Sequence, residues 1–94
     1  MPLNPKRCVL SGKTVRSPET FYDEIARQLS LPGHFGRNLD ALWDVLSADV
    51  PGPFEVVWEE SKASREAMGK SFDRVVAVLR KVTKERSDFR LILR

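Results

Sequence analysis

The stretch HFGRNLDALWDVL, at residues 34–46, joins a turn to a short amphipathic helix. Asn38 can cap this helix, because its side-chain oxygen accepts from first-turn N–H groups that lack a helical partner. Three leucines then recur at helical spacing and form one apolar stripe. These leucines are Leu39, Leu42 and Leu46. The pattern predicts a helix that ends near Ala48 and packs its leucine stripe against a core.

The opposite side of this helix is acidic. Asp40 and Asp44 lie one turn apart with Ser47 beside them, and Trp43 falls at the border of the apolar stripe, where half exposure is expected. Two carboxylates at this spacing repel each other by a few tenths of a kcal/mol, a cost that hints at use by a partner. Acidic pairs are more often a solvated face, and a tryptophan at this spacing is more often a core residue. The pattern alone leaves these interpretations open.

Regular elements are predicted on both sides of this segment. A proline-rich break at 49–53 separates it from the C-terminal half, and Leu31-Pro32-Gly33 ends the helix before it. The predicted elements are strand 7–10, a helix beginning at Ser17-Pro18-Glu19, the helix from Asn38, strand 54–58, helices 61–68 and 71–86, and strand 89–93. Helical crossovers between strands favour parallel pairing. We therefore expect an α/β fold in which a three-stranded parallel sheet is packed by four helices.

The chain of 94 residues has the length of one domain, and we expect residues 1–94 to form it, with residues 1–6 as a flexible tail. Its single cysteine, Cys8, allows no internal disulfide and fits a reducing compartment. No signal sequence or long apolar run is present, so a cytoplasmic monomer without membrane contact is expected.

Charge is sorted unevenly along the sequence. Residues 34–60 hold one basic and six acidic residues, whereas the whole chain carries a net charge of +3. Residues 61–94 hold ten Lys or Arg against four acids. RNA binding by this basic half is one possible function, but its Phe72 and Phe89 belong to core stripes and no nucleic-acid-binding motif is present. Direct nucleic-acid binding is therefore the less favoured alternative.

Catalysis is not indicated. One histidine and one cysteine do not assemble a nucleophile and base, and Cys8 lies in an apolar strand, where an inert buried thiol is expected. Asp40 and Asp44 alone supply too few oxygens for a divalent cation. No motif for a cofactor, phosphate or metal appears. We expect neither an enzyme nor a bound cofactor or metal.

The segment GRNLDALWDVL resembles the signature of the barstar family of bacterial intracellular ribonuclease inhibitors, and the resemblance extends from Cys8 to Leu93. It includes Ser11-Gly12, Pro53 and the Val57-Trp58 pair. The resemblance implies a barstar-like three-stranded parallel sheet with four helices. It also implies inhibition by occlusion, in which helix carboxylates occupy the positions of RNA phosphates in the active site of the ribonuclease.

The resemblance assigns the partner-binding role to the turn, the acidic helix and one distant lysine. The residues implied are His34, Gly36, Arg37, Asn38, Asp40, Ala41, Trp43, Asp44, Ser47 and Lys81. Several differ from the family pattern: His34 replaces a tyrosine, Arg37 and Lys81 replace glutamates, and nearby Asp49 replaces a tryptophan. Because two acids have become bases, we expect a ribonuclease or toxin-like partner other than a strongly basic barnase-type enzyme. A non-ribonuclease partner of the same fold surface is a further alternative.

Overall fold

A computed structural model describes residues 6–94. Its elements, in chain order, are β1 (Lys6–Ser11), α1 (Pro18–Gln28), α2 (Leu39–Asp44), a π-helical turn (Val45–Asp49), β2 (Phe54–Glu59), α3 (Ser61–Met68), α4 (Lys70–Glu85) and β3 (Phe89–Leu93). Every predicted strand and helix is present, and the three strands pair in parallel in the order β1-β2-β3. The predicted α/β fold with three parallel strands and four helices is confirmed.

The predicted bounds differ from the structure mainly at element ends. Lys6, which the sequence placed in a flexible tail, is the first residue of β1 and pairs with Phe54, while residues 1–5 lie outside the described part. The helix from Asn38 continues to Asp49, but its last five residues form the π-helical turn. This change of helical period matters for the functional site.

The core lies between one face of the sheet and the helices. Cys8 and Leu10 of β1, together with alternate residues of β2, contribute its sheet side, and α4 contributes a stripe that includes Leu79. Trp58 is fully buried and stacks on Phe21 of α1 with ring centroids 5.5 Å apart. These contacts fix α1 and α4 against the sheet and create the platform on which α2 lies.

A buried hydrogen-bond chain joins β2, α3 and the loop after β1. The indole nitrogen of Trp58 donates to the Ser64 hydroxyl at 2.9 Å, and that hydroxyl donates to the carbonyl of Val15 at 2.7 Å. Both partners of Ser64 are buried, so this one hydroxyl satisfies two polar groups that would otherwise be costly to bury. Within residues 6–94, no helix is long and apolar enough to cross a membrane.

Candidate functional site

The loop before α2 is fixed to the helix by Asn38. Its side-chain oxygen accepts from the Ala41 N–H at 2.8 Å, and its amide nitrogen donates to the Gly36 carbonyl at 3.2 Å. A Cβ added at Gly36 would lie 3.2 Å from the Ala41 Cβ and 3.3 Å from the Asn38 amide nitrogen. The absence of a side chain at Gly36 therefore lets the loop approach the helix closely and complete the predicted cap.

Arg37 is bound within the chain. Its guanidinium pairs with the Asp23 carboxylate on α1, and its backbone has a φ of 51°, in the left-handed region. Non-glycine residues adopt this conformation at a cost of about 1–2 kcal/mol. The sequence predicted a partner-binding role for Arg37 from its place in the motif. The structure adds that this charge is already compensated by Asp23, which also ties the loop to α1.

Phe35 holds the other end of the loop and was not predicted as a site residue. Its ring packs edge-on to Tyr22 of α1 at a centroid distance of 6.0 Å, and its N–H donates to the Pro32 carbonyl at 3.0 Å. An aromatic residue set between glycines in a polar loop is the only sequence signal that marks this anchor. Together with the Arg37–Asp23 pair, Phe35 makes the loop a rigid extension of α1.

An open cleft of about 260 Å³ lies between this loop and the helix. Its titratable lining residues are His34 from the loop, Asp44 at the end of α2 and Asp49 at the end of the π-helical turn. Gly36 and Ala41 contribute to its wall. The structure thus brings four of the predicted site residues together around a concave, acidic surface.

Asp49 reaches this cleft because of the π-helical turn. On a regular α-helix, Asp49 would fall on the side of Leu42, which is fully buried. In the structure the Val50 N–H donates to the Val45 carbonyl at 3.0 Å, a bond that spans five residues and widens the turn. Asp49 is exposed as a result, and it lines the cleft together with Asp44. In the sequence, Asp49 stands out only as a departure from the family pattern, and it was not predicted as a site residue.

Among the described residues, no cation pairs with the carboxylates on this surface. Asp40, Asp44 and Asp49 are exposed, and none forms a salt bridge within residues 6–94. Asp40 lies in the first turn of α2, where the helix dipole itself favours a negative charge. Asp44 and Asp49 have no such structural reason. They are therefore the carboxylates most available to a cationic partner.

The remaining predicted site residues surround the cleft or lie apart from it. Trp43 is half-buried and packs against the core, as its position in the pattern predicted. Ser47 is half-buried with its hydroxyl 3.5 Å from the Asp44 carbonyl oxygen. Lys81 is exposed on α4, the helix that packs against α2, but it does not line the cleft.

The C-terminal end of the acidic helix is held by Arg86, which follows α4. One guanidinium nitrogen donates to the carbonyls of Leu46 at 2.9 Å and Val50 at 2.6 Å, so it caps the π-helical turn. Asp88 holds the rest of the guanidinium in two hydrogen bonds, and the group lies over the Phe54 ring at 4.7 Å. This pairing lowers the pKa of the Asp88 carboxyl. The segment from Asn38 to Val50 is thus fixed at both ends.

Within the described residues, no group of three or more His, Cys, Asp or Glu side chains is placed to hold a metal ion. Cys8 is fully buried, and burial raises the pKa of its thiol to about 12, with a smaller contribution from the Glu24 charge. Its thiol is therefore neutral and enclosed, as expected for an inert core residue.

Comparison with known proteins identifies the family. A family model described as barstar (barnase inhibitor) matches residues 6–94. The chain belongs to the barstar family. It is also 30% identical over 89 residues to YrdF of Bacillus subtilis (strain 168), a protein whose name designates it provisionally as a ribonuclease inhibitor; the match covers 94% of this chain and 98% of YrdF. Barstar-family membership indicates an inhibitor and not an enzyme.

Proposed function

We propose that this barstar-family chain inhibits a ribonuclease or a toxin-like relative by inserting the loop, α2 and the π-helical turn into its active site. The observation that carries the proposal is a row of exposed carboxylates that form no salt bridge within residues 6–94, on a helix fixed at both ends. Enzymes that cleave RNA bind its phosphate groups through Arg and Lys side chains. Carboxylates compete with the phosphates for these side chains. Asp40 and Asp44 occupy the phosphate positions, and the substrate is excluded.

Asp49 extends this acidic surface and adds to the selection of the target. A second carboxylate on the cleft, where the family pattern has a tryptophan, replaces an apolar contact with a charged one. The favoured target therefore presents a cation, and not an apolar wall, opposite the π-helical turn.

The target also presents an acidic group near Lys81. Because Arg37 and Lys81 stand where the family pattern has glutamates, a partner with acidic groups opposite both positions would fit the sequence. Because Asp23 already pairs with Arg37, this expectation now depends chiefly on Lys81, which has no salt bridge within residues 6–94. A strongly basic barnase-type enzyme meets Lys81 with like charge and is disfavoured. The cytoplasmic location and the monomeric state stay predictions from the sequence.

The test is inhibition of candidate ribonucleases from the same organism in a fluorogenic RNA-cleavage assay. Wild-type protein is expected to raise KM without changing kcat, since occlusion competes with substrate. Asp44→Asn and Asp49→Asn are expected to weaken inhibition by at least about tenfold. Glu66→Gln, which removes one exposed charge from α3, is the matched control and should inhibit like the wild type.

Affinity capture from a lysate supplies the candidates, with wild type compared with the Asp40→Ala/Asp44→Ala double variant. A ribonuclease retained by the wild type alone supports the proposal. Undiminished inhibition by Asp44→Asn, or specific capture of a partner without nuclease activity, contradicts it.

A further inference from the structure

The two edges of the sheet differ in their main-chain hydrogen bonding. At β1, the Gln28 side chain closes the edge: its oxygen accepts from the Val9 N–H at 2.8 Å, and its nitrogen donates to the Val9 carbonyl at 2.7 Å. A side-chain amide that occupies both groups of an edge residue blocks the addition of another strand. The β1 edge is therefore not available for pairing.

The β3 edge carries no such closure. The Phe54 N–H donates to the Asp88 carbonyl, and the Arg94 N–H donates to the Trp58 carbonyl. The main-chain N–H and C=O groups of even-numbered residues along β3 therefore point toward β2. By the alternation of a parallel ladder, the N–H and C=O groups of Leu91 and Leu93 point away from the sheet. No hydrogen bond from the described residues reaches them. β3 is therefore an edge strand whose outward main-chain groups are unpaired within the described residues.

A groove lies beside the end of this open edge. It has a volume of about 390 Å³ and runs between β3, α3 and the outer side of α4. Its apolar lining residues are Phe72, Val76, Ala77 and Leu93. Leu93 belongs to both features, so a strand added to β3 would place alternate side chains toward the groove.

The charges around these two features are mainly positive. Arg65 and Arg80 line the groove, Arg90 is exposed on β3, and none of the three forms a salt bridge within residues 6–94. Asp73 is the one acidic residue that lines the groove. An occupant with carboxylates on its exposed side therefore gains electrostatically, whereas a second copy of the chain would bring the arginines of two β3 strands together.

We propose that the open edge of β3 and the adjoining α4 groove bind an extended acidic segment of a partner protein, which adds to the sheet as a fourth strand. Main-chain groups of Leu91 and Leu93 supply the hydrogen bonds, and the groove receives the apolar side chains of the segment. The arginines select its acidic residues. The arginines would attract RNA, but RNA matches neither the apolar lining of the groove nor the unpaired strand edge. Among the described residues, no exposed aromatic ring is available to stack on bases.

This surface is separate from the inhibitory one. α4 faces α2 through the side that carries Arg74 and Val75, which adjoin Leu39, whereas Val76, Ala77 and Arg80 line the groove. Occupation of the groove therefore leaves the cleft beside Asp44 open. This chain can therefore bind its target through α2 and, at the same time, a second protein through β3.

The experiment uses nitrogen-15-labelled full-length protein and a short capped peptide of alternating Glu and Val. Addition of the peptide is expected to move the amide signals of Leu91 and Leu93 and to slow their hydrogen exchange by about tenfold or more, while the Val9 amide is unchanged. The same peptide with N-methyl groups at alternate positions removes the strand hydrogen bonds and should not bind.

Two variants test the groove and its charge. Ala77→Arg keeps the surface basic but fills the groove, and Arg90→Glu reverses the exposed charge on the sheet face toward which the Glu side chains of the peptide point; each is expected to weaken peptide binding by at least about tenfold. Lys84→Glu, an equal charge reversal at an exposed position of α4, is the control and should bind normally. Equal binding of a Lys/Val peptide, an absence of shifts at Leu91, or binding of an RNA oligomer in place of the peptide would each overturn the proposal.

Discussion

The guanidinium of Arg86 donates to the main-chain carbonyl of Val50 at 2.6 Å, and this contact ties the end of α4 to the end of the acidic helix. The same nitrogen binds the Leu46 carbonyl, and the Arg86 side chain is only 15% exposed. Helix ends leave carbonyls without partners, and a buried cation is a strong donor to them. Arg86 is therefore a positioning residue for the carboxylate at Asp49, although in the sequence it is only one of the ten basic residues of 61–94.

Replacing Arg86 by alanine should therefore loosen the π-helical turn. Loss of two hydrogen bonds to a charged donor is expected to lower the free energy of unfolding by about 2–3 kcal/mol, measured by urea denaturation. Hydrogen exchange should accelerate most at residues 45–50. Lys84→Ala removes a neighbouring exposed cation and is expected to change stability by less than about 0.5 kcal/mol. Equal effects of the two variants would show that Arg86 does not hold the turn.

Removal of the Asn38 cap should weaken the other end of the same helix. Asn38→Ala is expected to cost about 1 kcal/mol in the free energy of unfolding, because the Ala41 N–H loses its acceptor. Asn38→Asp keeps that acceptor and should retain most of the stability. If Asn38→Ala and Asn38→Asp unfold at the same urea concentration, the cap is not what fixes the loop to α2.

Charge reversal at Lys81 should reveal the sign of the facing group on the target. If the target carries an acidic group there, Lys81→Glu slows association and weakens inhibition by about tenfold, with a smaller difference at high salt. Lys84→Glu is the control for the overall charge of α4. Tighter inhibition by Lys81→Glu would indicate a basic target and would contradict the expected change of partner.

The hydroxyl of Ser64 should matter more for stability than its size suggests. Ser64→Ala leaves the Trp58 indole N–H and the Val15 carbonyl buried without partners, so a loss of about 2–4 kcal/mol in the free energy of unfolding is expected. Ser61→Ala, which removes a hydrogen bond from an exposed position, should cost far less. Similar unfolding midpoints for the two variants would contradict this account.

The Cys8 thiol should make stability depend on alkaline pH. Burial raises its pKa from 9.0 to about 12, so the unfolded chain releases the thiol proton at lower pH than the folded chain does. The contribution of the protonated Cys8 thiol to the free energy of unfolding is therefore complete below about pH 9 and is lost as the pH rises toward 12. Wild type should lose more stability than Cys8→Ala across this range in urea titrations. Parallel pH profiles of the two proteins would show that the thiol pKa is not raised.

Much of the fold could be predicted from local signals. Ser17 and Asn38 cap α1 and α2 as expected, the run at 54–58 forms β2 as predicted, and the apolar stripe of α4 is buried. Leu42 and Leu46 are fully buried, whereas Leu39 is only half-buried, because it lies at the rim where α2 meets α4. Capping and periodicity act within a few residues along the chain, so the sequence expresses them directly.

The sequence by itself determined the element order, the parallel sheet and the acidic pair Asp40 and Asp44. Only the tertiary structure decided that Asp49 joins their surface, that Arg37 is neutralised by Asp23, and that one sheet edge is closed while the other is open. These outcomes depend on contacts between residues far apart in sequence, such as Arg86 with Val50 and Gln28 with Val9. Such contacts exist only once packing has brought the elements together, and periodicity carries no record of them.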